Sequence, residues 1–302
     1  MMVTLRALVC RAGQPAEAGS LAARRMVASA VTTITLALAG CTAATQPASP
    51  DLATASALVR QLPDAPLIVL GEEHDAPAHH QLEKEVVSHL VQRKRLGALL
   101  LEMADQGVST AGLAKNAPEA TVRQQLHWND SGWPWTSYGP AIMTAVAAGV
   151  EVRGANLPKA RHREVMASAA LDPHLPEKQS QALLTHIELA HCRLLPRTQL
   201  QPMLRIQLAR DATMAQTAAT AVETSQRHGH TVVLITGAEH ARRDRGLTTH
   251  LPDSLSPQTH VVLMQSGPEE IPPALADTFW RTPALDREDP CVEMRRTFGK
   301  PR

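Results

Sequence analysis

Two segments of the sequence place a glycine and a histidine three residues apart, directly after an apolar run. PLIVLGEEHD contains Gly71 and His74, and TVVLITGAEHARRD contains Gly237 and His240. Glutamates accompany both histidines. Carboxylate and imidazole groups can transfer protons, bind a metal ion or hold a polar ligand. The duplicated Gly-x-x-His pattern therefore predicts two equivalent strand exits that serve one polar site.

Polar side chains follow four of the predicted strands. In chain order they are Glu72, Glu73 and His74, then Glu102, then Asn156, and then Glu239 and His240. A single glutamate after a strand is more often a helix-capping or solvated loop residue. Ligands of open α/β sheets, however, bind outside the carboxyl ends of the strands, and four such positions favour one cleft. We therefore expect Glu72, His74, Glu102 and His240 to lie together.

Arg210 lies within an apolar helical stripe. In QPMLRIQLARDATMAQ, Met203 and Ile206 precede it and Met214 follows it at helical spacing, so the guanidinium rises from a buried face and requires an anion. Two interpretations stay open, namely contact with an anionic ligand and an internal salt bridge to one of the strand-end glutamates.

Four of the seven aromatic residues lie within eleven positions. They are Trp128, Trp133, Trp135 and Tyr138, in WNDSGWPWTSY, and Tyr138 is the only tyrosine of the chain. One interpretation is a small hydrophobic cluster under a loop. The other is a platform for a flat ligand, with a phenol as oxygen donor.

Five apolar runs predict strands that are buried on both faces, because most of them are continuous rather than alternating. They cover residues 66–70, 97–101, 150–153, 231–235 and 259–264. Helical patterns between them cover 77–95, with Asp75 as N-cap, 140–148, opened by Pro140, and an insertion at 159–228. The fold class is α/β, with three layers, a mostly parallel central sheet, helices on both faces and a helical insertion. Residues 66–302 form one domain.

The N-terminal segment resembles the leader of an exported lipoprotein. After Arg24-Arg25, residues 26–39 are apolar and end at the lipobox Leu38-Ala39-Gly40-Cys41. The run is shorter than the ~20 residues of a bilayer span and suits a signal peptide better than a short buried helix. We expect a signal peptide at 1–40, lipidation of Cys41 as a membrane anchor, and a polar tether at 41–65.

The expected chemical state of each cysteine follows from export of the protein. Cys10 leaves with the leader and Cys41 carries lipid, so Cys192 and Cys291 remain in an oxidising compartment. We expect one disulfide between them, with two separate buried thiols as the alternative.

Composition restricts the class of protein. With 44% hydrophobic and 20% charged residues, the chain can build a sizeable globular core. A formal net charge of +1 lacks the basic surface that nucleic-acid binding requires. No nucleic acid is expected among its partners.

The combination of motifs resembles the ChaN-like haem-binding uptake lipoproteins, which share their fold with erythromycin esterases and with the Tiki and TraB proteins. The resemblance covers about residues 66–296. It is carried by LGEEHDAPAHHQ, LLLEM, WPWTSYGP, VRGANLPK, QLARDATMA, GAEHARRDRG and DPC. The double Gly-x-x-His pattern is typical of the whole superfamily, and the Trp-x-Trp-x-x-Tyr-x-Pro element is typical of the haem-binding branch.

The resemblance implies haem binding during iron acquisition, by a cell-envelope lipoprotein of the outer membrane that faces the periplasm or the surface. It implies Tyr138 as the ligand of the haem iron, with Trp133 or Trp135 lining the pocket and His74, His240 or Arg210 meeting the propionates. Tyrosinate is an established ligand of ferric haem. An outer-membrane haem receptor and a second copy of the chain are the other implied partners.

The alternative is a hydrolase, of the esterase or metal-dependent peptidase type. In the enzymes of the superfamily, the Glu and His of the duplicated corner activate water or bind metal, roles that would fall here to Glu72, His74, Glu102 and His240. Burial could raise the pKa of a carboxyl enough to make it a useful base. The sequence has no Gly-x-Ser-x-Gly elbow and no His-Glu-x-x-His helix. Binding is the favoured interpretation.

We predict that residues 1–40 are absent from the mature protein and that Cys41 carries lipid. Mass spectrometry of the membrane fraction should find a lipidated N-terminal Cys41. The Cys41→Ser variant should leave the membrane fraction, because its anchor is lost. An intact leader, or a variant that still partitions with membranes, contradicts this prediction.

Overall fold

The computed structural model describes residues 52–226 and 229–298. Within them, six parallel strands form one sheet. The strands are β1 Leu67–Glu72, β2 Leu96–Asp105, β3 Val152–Asn156, β4 Thr231–Gly237, β5 Thr259–Ser266 and β6 Thr278–Thr282. The signal peptide predicted at 1–40 and Cys41 lie outside the described residues.

The strand order is β3-β2-β4-β1-β5-β6. Strand β1 lies at the centre of the sheet and pairs in parallel with β4 and β5, while β4 also pairs with β2. Every residue of β1 and of β4 is buried. This explains their unbroken apolar sequences, since a parallel strand covered on both faces has no solvent side.

Helices cover both faces of the sheet. They are α1 Leu52–Arg60, α2 Pro77–Gln92, α3 Glu119–Gln125, α4 Trp135–Ala148, α5 His162–Ala167, α6 Glu177–Ala190, α7 Arg197–Gln226, α8 Ala238–Ala241 and α9 Pro290–Phe298, with 3-10 turns at Lys159–Arg161, Leu247–His250, Ser256–Gln258 and Pro273–Leu275. No helix in the described ranges has both the length and the hydropathy that crossing a bilayer requires.

Two hydrophobic cores flank the sheet, and successive residues of β1 point into opposite ones. Ile68 and Leu70 pack in the core formed with α1, α2, α3 and α4. Leu67 and Val69 pack in the core formed with α7 and α8. The predicted three-layer α/β architecture is therefore confirmed.

The five predicted strands are all present, and each extends beyond its apolar run. Strand β6 was not predicted, because its sequence TFWRT is short and includes Arg281, and because it forms an edge of the sheet where only Trp280 and Thr282 are buried. Edge strands need fewer apolar residues than central ones.

Helix α1 was not predicted, and one predicted N-cap and one predicted helix start are wrong. Helix α1 lies inside the segment predicted to be a tether, and Ala55 and Val59 pack in the core. The N-cap of α2 is Ala76, because the carboxylate of Asp75 binds Arg287 instead. Helix α4 begins at Trp135 and contains Pro140, so Tyr138 lies in the helix and not ahead of it.

The region predicted as a helical insertion consists of helices α5, α6 and α7 and a 3-10 turn. Residues 227–228 at its end lie outside the described ranges. The predicted disulfide is present and joins Cys192, after α6, to Cys291, in α9. Met294 packs against the bridge in a small apolar cluster. The disulfide therefore ties the end of the described chain to the insertion.

We predict that the double variant Cys192→Ser/Cys291→Ser loses stability. The bridge closes a loop with a sequence separation of 99 residues. In the chain-entropy model such a bridge contributes at most ~4–5 kcal/mol to the free energy of unfolding. Urea unfolding should show the loss, and reductant should bring the wild type to the value of the variant. Equal stability with and without the bridge contradicts the prediction.

Candidate functional site

The carboxyl ends of β1, β2 and β4 meet at one edge of the sheet. Because β4 lies between β1 and β2, its exit at Gly237 is placed between Glu72 of β1 and Glu102 of β2. Both glutamates are fully buried. A buried carboxylate must be surrounded by donors or lose its charge. The hydrogen-bond partners of these two side chains therefore define the site.

Glu72 is contacted by three side chains. The Nδ1 atom of His74 donates to Oε1 over 2.7 Å, and the Tyr138 hydroxyl donates to the same oxygen over 2.6 Å. Nε2 of His80 lies 3.0 Å from the other oxygen, Oε2. These donors come from the β1 exit, from α2 and from α4. One carboxylate thus connects three elements.

The charge states around Glu72 follow from burial and from these contacts. Burial alone would raise the pKa of Glu72, but the hydrogen bonds and charges of His74 and His80 lower the pKa well below its usual value. Burial, together with the charge of Glu72, raises the pKa of Tyr138. The same two causes raise the pKa of the buried Glu83 well above its usual value. Glu72 is therefore the anion, whereas Tyr138 and Glu83 keep their protons.

Glu102 has a separate set of partners. The Thr236 hydroxyl and the Gly237 backbone N–H each donate to Oε2 over 2.7 Å, and the guanidinium of Arg210 binds Oε1. Burial opposes its ionisation, but His240 and Arg210 lower the pKa of Glu102 to about 2. Of the two interpretations of Arg210, the structure thus contains the internal salt bridge. Arg210 also donates from Nε to Asn156 over 2.9 Å.

His240 lies between two carboxylates. Its Nδ1 atom is 2.7 Å from Oδ1 of Asp211, and its Nε2 atom is 3.6 Å from Oε1 of Glu102. Burial raises the pKa of Asp211 to about 6, although the His240 contact opposes the shift. The arrangement orients the imidazole through one carboxylate, as in histidines that act as bases.

His74 links the two networks. Burial would lower its pKa, but the hydrogen bond to Glu72 and the charge of Glu102 raise it. Gly237 provides the space, because a Cβ atom there would lie 2.7 Å from Nε2 of His74. Gly71 provides space at the other corner, where a Cβ would lie 2.6 Å from that of Ala241. Each glycine therefore allows the other corner to approach.

Two cavities open at this edge of the sheet, and His74 lines both. The larger is a cleft of about 880 Å³ whose wall includes Trp133 and Pro134 and whose rim includes Lys84 and Arg287. The smaller, of about 230 Å³, contains Glu72, Arg210 and His240, together with Met203 and Met294.

The predicted aromatic residues occupy different environments. Trp133 lines the larger cleft and contacts the edge of the His74 ring, with centroids 4.8 Å apart. Trp135 is buried, packs edge-on against Trp128 and carries Arg123 over its ring. Tyr138 is 1% exposed and reaches Glu72 from inside the core. Of this group, Trp133 is the residue that a ligand in the larger cleft would touch.

The structure brings Glu72, His74, Glu102, His240 and Arg210 together. Glu73 points elsewhere, towards Arg287, whereas Glu239 lines the smaller cavity and pairs with Arg245. Several members of the site were not predicted: His80, Glu83, Asp211 and Arg287. Spacing could have identified His80 and Glu83, which follow each other at an interval of three on the helix that carries the buried Val86 and Val87.

Among the described residues, no group of three His, Cys, Asp or Glu side chains is arranged to hold a metal ion.

Fold and site together define an α/β protein with a buried polar site at the carboxyl edge of a parallel sheet. The chain belongs to the family described as haem-binding uptake, Tiki superfamily, ChaN, which matches residues 58–251. The resemblance deduced from the motifs is confirmed, and haem is the ligand by which this family is described.

Two solved structures are similar to this chain, and the first of them agrees on the fold. One of ChaN from Campylobacter jejuni, described as showing cofacial heme binding, is 22% identical, has a TM-score of 0.59, and covers 73% of this chain and 89% of its own. The type III effector HopBA1 is 18% identical with a TM-score of 0.41, covering 69% of this chain and 81% of its own. No curated protein sequence matches the chain.

We predict that Glu102 makes stability depend on pH. Its pKa is about 2 in the folded state against an ordinary value of 4.5, so its contribution is present above pH 4.5 and is lost as the pH falls towards 2. At about 1.4 kcal/mol per unit, the full contribution is about 3 kcal/mol, of which about 2 kcal/mol is lost between pH 6 and pH 3.

Urea unfolding of Glu102→Gln should therefore show a flatter pH dependence than that of the wild type. Glu164→Gln is the control, because its carboxylate is exposed and pairs with Arg161, which is also exposed. A Glu102→Gln curve that is parallel to the wild-type curve from pH 6 to pH 3 rules the assignment out.

Proposed function

We propose that the protein binds haem in the larger cleft and takes part in haem acquisition at the cell envelope. One observation carries the proposal: in a chain of the haem-binding uptake family, this cleft combines an aromatic wall at Trp133 with cations at its rim. Its volume of about 880 Å³ is within the usual range of ligand pockets.

The residues of the cleft match the chemistry of haem. Pro134, Pro140 and Trp133 offer apolar and aromatic surface to a flat ring, which favours stacking. Propionates need cations. Since Arg287 is already bound to Glu73 and Asp75, we assign the propionates to Lys84. Arg210 is engaged by Glu102 at the smaller cavity, so the predicted contact of Arg210 with a propionate requires that salt bridge to exchange.

Tyr138 stays the predicted ligand of the haem iron. Its hydroxyl donates to Glu72 over 2.6 Å, and burial and the charge of Glu72 raise the pKa of Tyr138, so the iron must displace this proton for the phenolate to bind. Ligation also requires the side chain to leave the core, because the residue is 1% exposed. His74 lies on the wall of the cleft without such a movement, and its bond to Glu72 is typical of histidines that ligate metals. It is therefore the alternative ligand.

The lipid anchor at Cys41 and the location in the cell envelope belong to the same proposal. A tethered haem-binding domain would keep its cargo close to the membrane, next to an outer-membrane receptor. The larger cleft is open to solvent, so a bound haem would keep one face accessible to a second copy of the chain. The proposal therefore includes a homodimer in the haem-bound state.

We predict that Tyr138→Phe weakens haemin binding by about tenfold or more, equivalent to about 1.4 kcal/mol. The variant keeps the ring and removes only the oxygen. Wild-type protein should give a high-spin ferric spectrum with a charge-transfer band that the variant lacks. Ferric binding should suffer more than ferrous binding, because an oxygen donor prefers the higher charge. Haemin titration followed by absorption measures both.

Thr231→Val is the matched control, because it removes a buried hydroxyl donor at the opposite end of β4. If Tyr138→Phe behaves like this control and His74→Ala loses binding, His74 is the ligand. If the wild-type protein does not bind haemin, the proposed function is wrong.

A second candidate function is hydrolysis at the smaller cavity. The observation in its favour is that His240 is oriented by Asp211 and faces Glu102, an arrangement that suits general-base catalysis. In this case the purified protein would hydrolyse ester or peptide substrates and lose that activity in His240→Ala. Haemin affinity would not change in this variant, since His240 does not line the larger cleft.

A further inference from the structure

The end of the described chain forms a strap across the mouth of the site. We use this name for residues 283–298, which follow β6 and include α9. The strap lies entirely outside residues 58–251, the part of the chain that matches the family. It is attached to the rest of the protein at two points.

The first attachment is a clasp formed by Arg287. Its Nε atom donates to Asp75 over 2.6 Å, and its Nη2 atom donates to Glu73 over 2.6 Å. Glu73 also accepts a hydrogen bond from the backbone N–H of Ser266 over 3.0 Å. Glu73 and Asp75 are the two sequence neighbours of His74. One guanidinium therefore holds both sides of the turn that carries His74.

The second attachment is the Cys192–Cys291 disulfide, four residues after Arg287. Both cysteines are buried, and Met294 packs against them. Arg287 and Pro290 line the larger cleft, while Met294 lines the smaller cavity. The strap thus passes between the two cavities, at the place where His74 separates them.

We propose that the strap positions His74 between the two cavities, with Arg287 as the positioning residue. In the described part of the chain, the imidazole itself contacts the side chains of Glu72 and Trp133. The strap fixes the backbone beneath it. Without the guanidinium, the carboxylates of Glu73 and Asp75 would repel each other across the turn, and the short bond from His74 to Glu72 would lose its alignment.

The effect of the strap on haem binding rests on the proposed function, but its effect on His74 does not. A short imidazole–carboxylate hydrogen bond holds its proton long enough to give a downfield proton resonance. This signal reports the alignment of His74 in the protein without ligand. It can be assigned by its absence in His74→Ala.

The experiment compares three variants of the full chain by proton NMR and haemin titration. Arg287→Gln should lose the His74 resonance and about tenfold in haemin affinity, as residues that orient a binding histidine usually do. Arg287→Lys keeps the charge but cannot span two carboxylates, so it should lose the resonance as well. Arg296→Gln, on the same strap, is the control, because Arg296 is 76% exposed and pairs with Glu293 on its own helix.

A resonance retained in Arg287→Gln overturns the proposal, and so does its loss in Arg296→Gln. If Arg287→Gln does not fold, Asp75→Asn removes one half of the clasp from a half-exposed position and should weaken the resonance in the same way. A wild-type protein that shows the resonance but binds no haemin would refute the proposed function alone, since the NMR comparison still decides the role of the strap.

Discussion

The structure depends on keeping one carboxylate, that of Glu72, charged inside a hydrophobic core. Removing a carboxylate from water costs several kcal/mol of free energy even after relaxation. Hydrogen-bond donors placed around the carboxylate must offset that cost. The donors come from His74, His80 and Tyr138, which belong to three different elements. The position of α2 and of the start of α4 relative to the sheet is therefore tied to the same charge that defines the candidate site.

The strand order explains why two corners are needed. Since β4 is inserted between β1 and β2, a ligand-binding edge built from β1 and β2 would have a gap between them without the β4 exit. The exit fills that gap with Gly237, whose N–H binds Glu102 and whose missing side chain leaves room for His74. The two Gly-x-x-His segments are thus complementary parts of one surface, and not two copies of one site.

The sequence predicted the sheet and its polar edge well, because both depend on local patterns. Continuous apolar runs identify strands buried on both faces, and the residue at which a run ends is a position that topology brings to the edge. Glu72 and Glu102 were found in this way.

Residues on helices were harder to predict. Helical spacing places His80 and Glu83 on the buried face of α2, but it does not show that this face reaches Glu72. Asp211 reaches the site through the rotation of α7 about its own axis, which a single sequence does not determine. Pro140 predicts a helix start, because proline is favoured in the first turn of a helix. In the structure it lies within α4, and the helix therefore begins five residues earlier than predicted.

The pairing of β1 with β4 also constrains the order of folding. Leu67 lies beside Val232, so the central pair of strands joins residues far apart in the chain, and such contacts form late because a long loop must close first. The disulfide joins Cys291 to the insertion and requires still more of the chain. A partly synthesised polypeptide therefore cannot assemble the edge of the sheet. The polar edge is completed only once nearly the whole chain is available.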